Sequence, residues 1–317
     1  MRTVAVRAAR CASFAIAAAL VAAAAAAGCG SAEHPTGTVL PPPPDIADER
    51  IAVATLEPGK HVLVTMNADG SDARRVDSSA IHPIIPAWSR DHRRLAYAVG
   101  DQLVVMDDVG GTRRVLVAAG TFRAIEYPAW SSDGRKISFS GCFRLSDPEG
   151  PVCQAYLVPS GGGEFEAVVP VTMFSASAAG GFSPDGRRML ITARQPGQTT
   201  GIFVVHFDGT PPRLLRPITS STSTHPKYSP DGQWIVYLEA DANTRHIRIM
   251  RYDGADDRAL TPEVHGTFDS TPWFSPDGTR VVFARVGSVL GLHTIAVRGD
   301  DLHTVMATPH VPYAAAW

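Results

Sequence analysis

His82, Glu126, Tyr127, His225, Asp269, His310 and Tyr313 each stand three to seven residues ahead of one member of a recurring aromatic series in this 317-residue chain. Imidazoles and carboxylates brought from separate segments to one opening are donors suited to a polar ligand or a divalent cation. Ser177, Thr224 and Ser270 occupy matching positions. These seven are ligand-binding candidates; none is assigned a catalytic or metal role, and no cofactor is implied. The usual catalytic signatures are missing: no Gly-x-Ser-x-Gly elbow, no His-Glu-x-x-His helix, no phosphate loop and no dinucleotide fingerprint. Asn67-Ala68-Asp69-Gly70-Ser71-Asp72 lacks the terminal Glu of a calcium loop and reads as a hairpin turn. His61, His206, His246, His293 and His303 fall on outer strands or turns and are expected to face solvent or pair strands.

What must position the candidates is a repeated corner. An aromatic followed by a Ser-Pro-Asp-Gly-like turn occurs at Trp88-Ser89-Arg90-Asp91-His92, Trp130-Ser131-Ser132-Asp133-Gly134, Phe182-Ser183-Pro184-Asp185-Gly186, Tyr228-Ser229-Pro230-Asp231-Gly232 and Phe274-Ser275-Pro276-Asp277-Gly278. The Asp residues are spaced by 42, 52, 46 and 46 residues, the period of four-stranded propeller blades. Proline presets the first turn angle, Asp bonds nearby amides and Gly takes the left-handed conformation. His92 stands where Gly is wanted, so that corner is expected to be looser or differently shaped.

Alternating, β-branched runs follow the corners: Ile137 to Ser140 with Ala155 to Val158, Met189 to Thr192 with Ile202 to Phe207, and Trp234 to Leu238 with Ile247 to Arg251. Residues 50–54 look like the strand after a corner, with no corner before them. Pro312 to Trp317 looks like the strand into one, and Trp317 lies 43 residues after Phe274. The expectation is an all-β fold: a six-bladed β-propeller of four-stranded antiparallel blades, closed by pairing of the C-terminal strand with the N-terminal blade. Trp88, Trp130, Phe182, Tyr228, Phe274 and Trp317 are expected to pack at blade junctions.

These corners resemble those of the TolB-like six-bladed β-propeller repeat family, over residues 50–317 only. TolB carries a separate α/β domain ahead of its propeller, whereas here residues 29–49 alone lie between the export segment and the first strand. Arg2, Arg7 and Arg10, the apolar run Phe14 to Ala27, and Ala26-Ala27-Gly28-Cys29 read as a signal peptide over 1–28. The end of that segment resembles a bacterial lipobox, which implies lipidation of Cys29, and Gly30 favours an outer membrane. Residues 29–49, with Pro41-Pro42-Pro43-Pro44, read as a flexible tether.

Without the three signal arginines the chain has 26 basic against 31 acidic side chains and no basic stripe, which argues against a nucleic-acid partner. Cys142 and Cys153 bracket an insertion and are expected to form a disulfide in an oxidising compartment. The leading functional reading is a non-enzymatic cell-envelope platform, lipid-anchored on the periplasmic or cell-surface side, for an envelope protein or cell-wall polymer. The alternatives are a channel-mouth metal-dependent enzyme, such as a polysaccharide lyase or hydrolase, and an accessory or sensor subunit of an envelope complex.

Overall fold

The computed structural model describes residues 50–79, 84–107, 111–143, 152–170, 172–174, 176–195, 200–218, 224–307 and 310–317. The expectations for the signal peptide, Cys29, the tether and His82 lie outside the described residues.

The described residues form strands and connecting turns, in the chain order β1 (Arg50–Glu57), β2 (Lys60–Asn67), β3 (Arg74–Ser79), β4 (Ile84–Trp88), β5 (Arg94–Val99), β6 (Gln102–Asp107) and β7 (Arg113–Val117). There follow β8 (Ala124–Trp130), β9 (Lys136–Phe143), β10 (Val152–Pro159), β11 (Glu166–Ala167), β12 (Ala176–Phe182), β13 (Arg188–Arg194), β14 (Thr200–His206) and β15 (Arg213–Pro217). The last are β16 (Lys227–Tyr228), β17 (Trp234–Ala240), β18 (Arg245–Arg251), β19 (Arg258–Ala259), β20 (Phe268–Phe274), β21 (Arg280–Val286), β22 (Gly291–Ala296), β23 (His303–Ala307) and β24 (Val311–Ala316).

Each run of consecutive strands makes an antiparallel meander: β4 to β7, β8 to β11 and β12 to β15 are four-stranded sheets. The runs β16 to β19 and β20 to β23 are linked into one sheet by a single parallel bridge, Arg245 to Phe268. In the remaining sheet the order is β24-β1-β2-β3, with Val53 opposite Ala315 and Ala54 opposite Ala314. The chain's last strand therefore pairs antiparallel with its first described strand.

The hydrophobic residues gather in six clusters among the described residues, each between two successive runs of strands, and one lies between the last run and the first. That last cluster joins Val282, Leu292 and Val305 to Ile51, Val53 and Trp317. Each expected junction aromatic sits in a different cluster. Five are 4–8% exposed, and Phe182 is half-buried. Trp130 also donates its indole N–H to the Ala87 carbonyl of the neighbouring sheet at 3.0 Å.

The corners explain why Ser and Asp recur. In every corner the Ser hydroxyl donates to the Asp carboxylate at 2.5–2.7 Å and accepts the amide five residues on. The same carboxylate accepts a second amide two residues on, at 2.9–3.2 Å. The Ser hydroxyls hold the Asp91, Asp133 and Asp185 carboxyls below the usual range. One corner corrects an expectation. His92 adopts φ 53°, close to the 67–74° of the four corner glycines, and makes the same turn bond to the Ser89 carbonyl. Its ring stacks on Trp88, 5.8 Å between centroids, and this contact supports the left-handed backbone that glycine takes freely elsewhere.

Cys142 and Cys153 face each other directly across β9 and β10 and form the expected disulfide. Of the outer histidines, His246 and His293 take the strand-pairing alternative: they lie opposite Glu239 and Phe283 and are 5% and 3% exposed.

Candidate functional site

The first strands of the meanders touch one another in the order β4, β8, β12, β16, β20, β24 and back to β4, so their residues surround a common axis. Along that axis the backbone repeats a device. Tyr127-Pro128, His225-Pro226 and Thr271-Pro272 each place a non-glycine residue at φ 46–53° three positions before the junction aromatic. In β8 and β20 the pair supplies one extra residue relative to the partner strand, a β-bulge. Proline has no N–H to give the ladder, so the bulge falls where pairing is already broken. In β12 two glycines, Gly180 and Gly181, fill the same role: a Cβ on Gly180 would meet the Leu190 carbonyl oxygen at 2.6 Å.

Left-handed geometry before proline is unfavourable, and a β-branched Thr is an outlier there. Thr271 is held by its hydroxyl, which accepts the Ala315 amide at 2.8 Å and so ties β20 to β24. Tyr127 and His225 stack with their centroids 3.4 Å apart.

These bulges line a cavity of about 10 Å³ bounded by Ile85, Pro86, Tyr127, Pro128, His225, Lys227, Thr271, Pro272 and Trp273. Trp273, half-buried, packs against three of the six core clusters and lines this cavity. Lys227 lies beside it, 5% exposed, with Nζ 4.4 Å from the Trp273 ring centroid. Among the described residues, neither Lys227 Nζ nor either His225 ring nitrogen has a hydrogen-bond partner.

Burial governs the electrostatics. It draws the Lys227 amine down to about 7. The His225 imidazole is pushed well below its ordinary value by burial first, then by the charges of Lys227 and Arg245. Burial raises the Glu126 carboxyl, and it raises the Tyr127 phenol with a further push from Glu126.

Of the seven sequence candidates, the structure brings Tyr127 and His225 into this cavity. Asp269 is fully buried on β20, where its carboxylate accepts two bonds from the Arg285 guanidinium, at 2.6 and 2.9 Å, and one from Thr261 at 2.7 Å. It holds β20 to β21 and to the chain after β19. Tyr313 accepts the Ile84 amide at 2.8 Å, linking β24 to β4, and its ring meets His61 edge-on. His310 is half-buried and Glu126 half-buried, both outside the cavity lining. Ser177 is taken up by Gln154 and the Ala155 amide, Thr224 by Thr192. Of the described candidates, Asp269 and Tyr313 are thus taken up by strand-to-strand bonds, as are Ser177 and Thr224 at matching positions. Among the described residues no group of three or more His, Cys, Asp or Glu is placed to hold a metal.

Lys227 and Trp273 were missed by the sequence reading. The signal was the residue just before each junction aromatic: Ala87, Ala129, Gly181 and Ala316 are small, and only Lys227 and Trp273 are large. A Cβ on Gly181 would lie 3.1 Å from the Lys227 stem, so the glycine leaves room for it.

Against known proteins, the family profile described as the TolB beta propeller domain matches residues 48–311. An uncharacterized protein of Agrobacterium fabrum (strain C58) is 27% identical over 211 residues, 54% of this chain and 69% of that protein. The Tol-Pal system protein TolB of Anaeromyxobacter sp. (strain K) is 29% identical over 166 residues, 50% of this chain and 36% of that protein. This chain therefore aligns with about a third of that TolB. The crystal structure of TolB from Acinetobacter baumannii superposes with a TM-score of 0.72 at 22% identity, covering 87% of this chain and 67% of that one. With the profile spanning most of its length, and corners, meanders and junction aromatics to match, the chain belongs to the TolB beta propeller domain family.

Proposed function

We propose that this chain is a non-enzymatic binding platform of the cell envelope. Its strands make six blades of a closed ring, with β24 completing the blade of β1 to β3. Residues 1–28 direct export, lipidated Cys29 holds the chain to a membrane on the periplasmic or cell-surface side, and residues 29–49 tether the ring. The occupant of its loops is an envelope protein or a cell-wall polymer.

The observation that carries this reading is how the axial polar groups are used. Asp269, Ser177, Thr224 and Tyr313 all bond to neighbouring strands, and Trp273 packs against three of the core clusters. A rigid body of that kind displays loops instead of concentrating reactive groups. Six intersheet cores and the β24–β1 pairing support the closed ring. The Tol-Pal naming of the relatives supports an envelope setting. That naming concerns proteins of which this chain matches a part, so the partner is left at the level of its chemistry.

Cross-linking in intact cells, followed by mass spectrometry, tests the reading on full-length protein and a Cys29→Ser variant. The expected result is recovery of a defined envelope component, with the wild-type chain in the membrane fraction and the variant released from it. Cytoplasmic partners, or identical fractionation of the two proteins, would contradict it.

A further inference from the structure

The cavity on the axis holds an unresolved charge problem. Among the described residues, Lys227 Nζ is buried with no hydrogen-bond partner and lies 4.4 Å from the Trp273 ring centroid. His225 lines the same cavity with both nitrogens unpartnered. Lys227 has donors only, and the neutral His225 imidazole offers one N–H donor and one acceptor nitrogen, so the charge of the Lys227 ammonium still lacks an anionic counterpart. The nearby carboxylates do not supply one: Asp269 is saturated by Arg285 and Thr261, and Glu126 is outside the lining.

Size and lining narrow the acceptor's chemistry. The cavity, about 10 Å³, is at the lower limit for one water-sized body. Tetrahedral oxyanions are too large for it. Proline and isoleucine walls favour a weakly hydrated species, and one ammonium matches one negative charge. A halide is larger than a water, so its binding requires the Lys227 ammonium to draw back along its flexible stem.

We propose that this cavity binds one small monovalent anion of halide size, held between the Lys227 ammonium and an N–H of His225. The anion supplies the counter-charge that a buried ammonium requires. Its energetic role is to lock β16 against β8 and β20 at the bulges. The site is a property of the isolated chain and does not rest on the envelope reading.

Bromide is the probe. Crystals of the wild-type protein grown in sodium bromide should show an anomalous peak within hydrogen-bond reach of Lys227 Nζ and a His225 nitrogen. The Tm should rise with bromide and, above half-saturation, follow the logarithm of its concentration. Lys227→Met should abolish the saturable part of that rise, leaving only the general salt response. An empty cavity or an ordinary water there in bromide crystals would overturn the proposal. So would equal bromide responses of the wild type and the variant. If Lys227→Met does not fold, the anomalous map of the wild type decides alone.

Discussion

Tyr127, His225 and Thr271 carry the backbone cost of the axis, each with a left-handed conformation that disfavours an L-residue by about 1–2 kcal/mol. Their compensation differs by residue: ring stacking for the first two, a hydroxyl-to-amide bond for the third. Asp269 shows the same economy. A fully buried carboxylate would be costly alone, and its bidentate Arg285 pair makes it a structural tie. His293 gives this scale its clearest test. Packed on Phe283 and buried on β22, its imidazole is drawn down to about 4, chiefly by burial. The native state therefore keeps it neutral while the unfolded chain takes up a proton near 6.5. Stability from this group is full above about pH 6.5 and is lost as pH falls toward 4, by on the order of 3 kcal/mol in total. Denaturant midpoints measured from pH 8 to 4 should decline through that window, and His293→Phe should flatten the decline. An unchanged slope in the variant would refute the assignment.

At the scale of elements, the corners behave as one repeated part. Ser binds Asp, Asp binds the next amide, and the residue at positive φ turns the chain into the following strand. Successive corners also touch. A Cβ on Gly278 would lie 3.3 Å from Pro230, and one on Gly232 3.3 Å from Pro184. Gly278→Ala should therefore destabilise the protein by about 1–2 kcal/mol, from the φ of 74° together with the tight contact. A denaturation curve indistinguishable from wild type would contradict that. Corners of this type were readable from residue types because their bonds are local: Ser, Asp and Gly satisfy one another within six residues. The His92 corner was misjudged because its support, the Trp88 ring, is a packing contact. The bulges escaped notice for a similar reason. The Tyr-Pro, His-Pro and Thr-Pro pairs are plain in the sequence, but their effect depends on the strand opposite.

For the whole molecule, the junction aromatics and the terminal strands were legible because each repeat states its own part of the pattern and the two ends complement each other. The axial site was not. Whether Asp269 is a ligand or a tie depends on Arg285, 16 residues away on the next strand. Lys227 matters only because Gly181 and Trp273, from two other strand runs, shape the space around it. The account as a whole turns on the final strand: β24 must lie on β1 for the last core cluster, with Trp317 at 4% exposure, to be closed from water. Native-state hydrogen exchange of the intact chain measures this directly. The amides of Val311–Ala316 should be protected as strongly as those of Arg50–Glu57, and both should open together in one cooperative step. Exchange of the C-terminal amides at the rate of an unstructured chain, with Arg50–Glu57 still protected, would contradict the account.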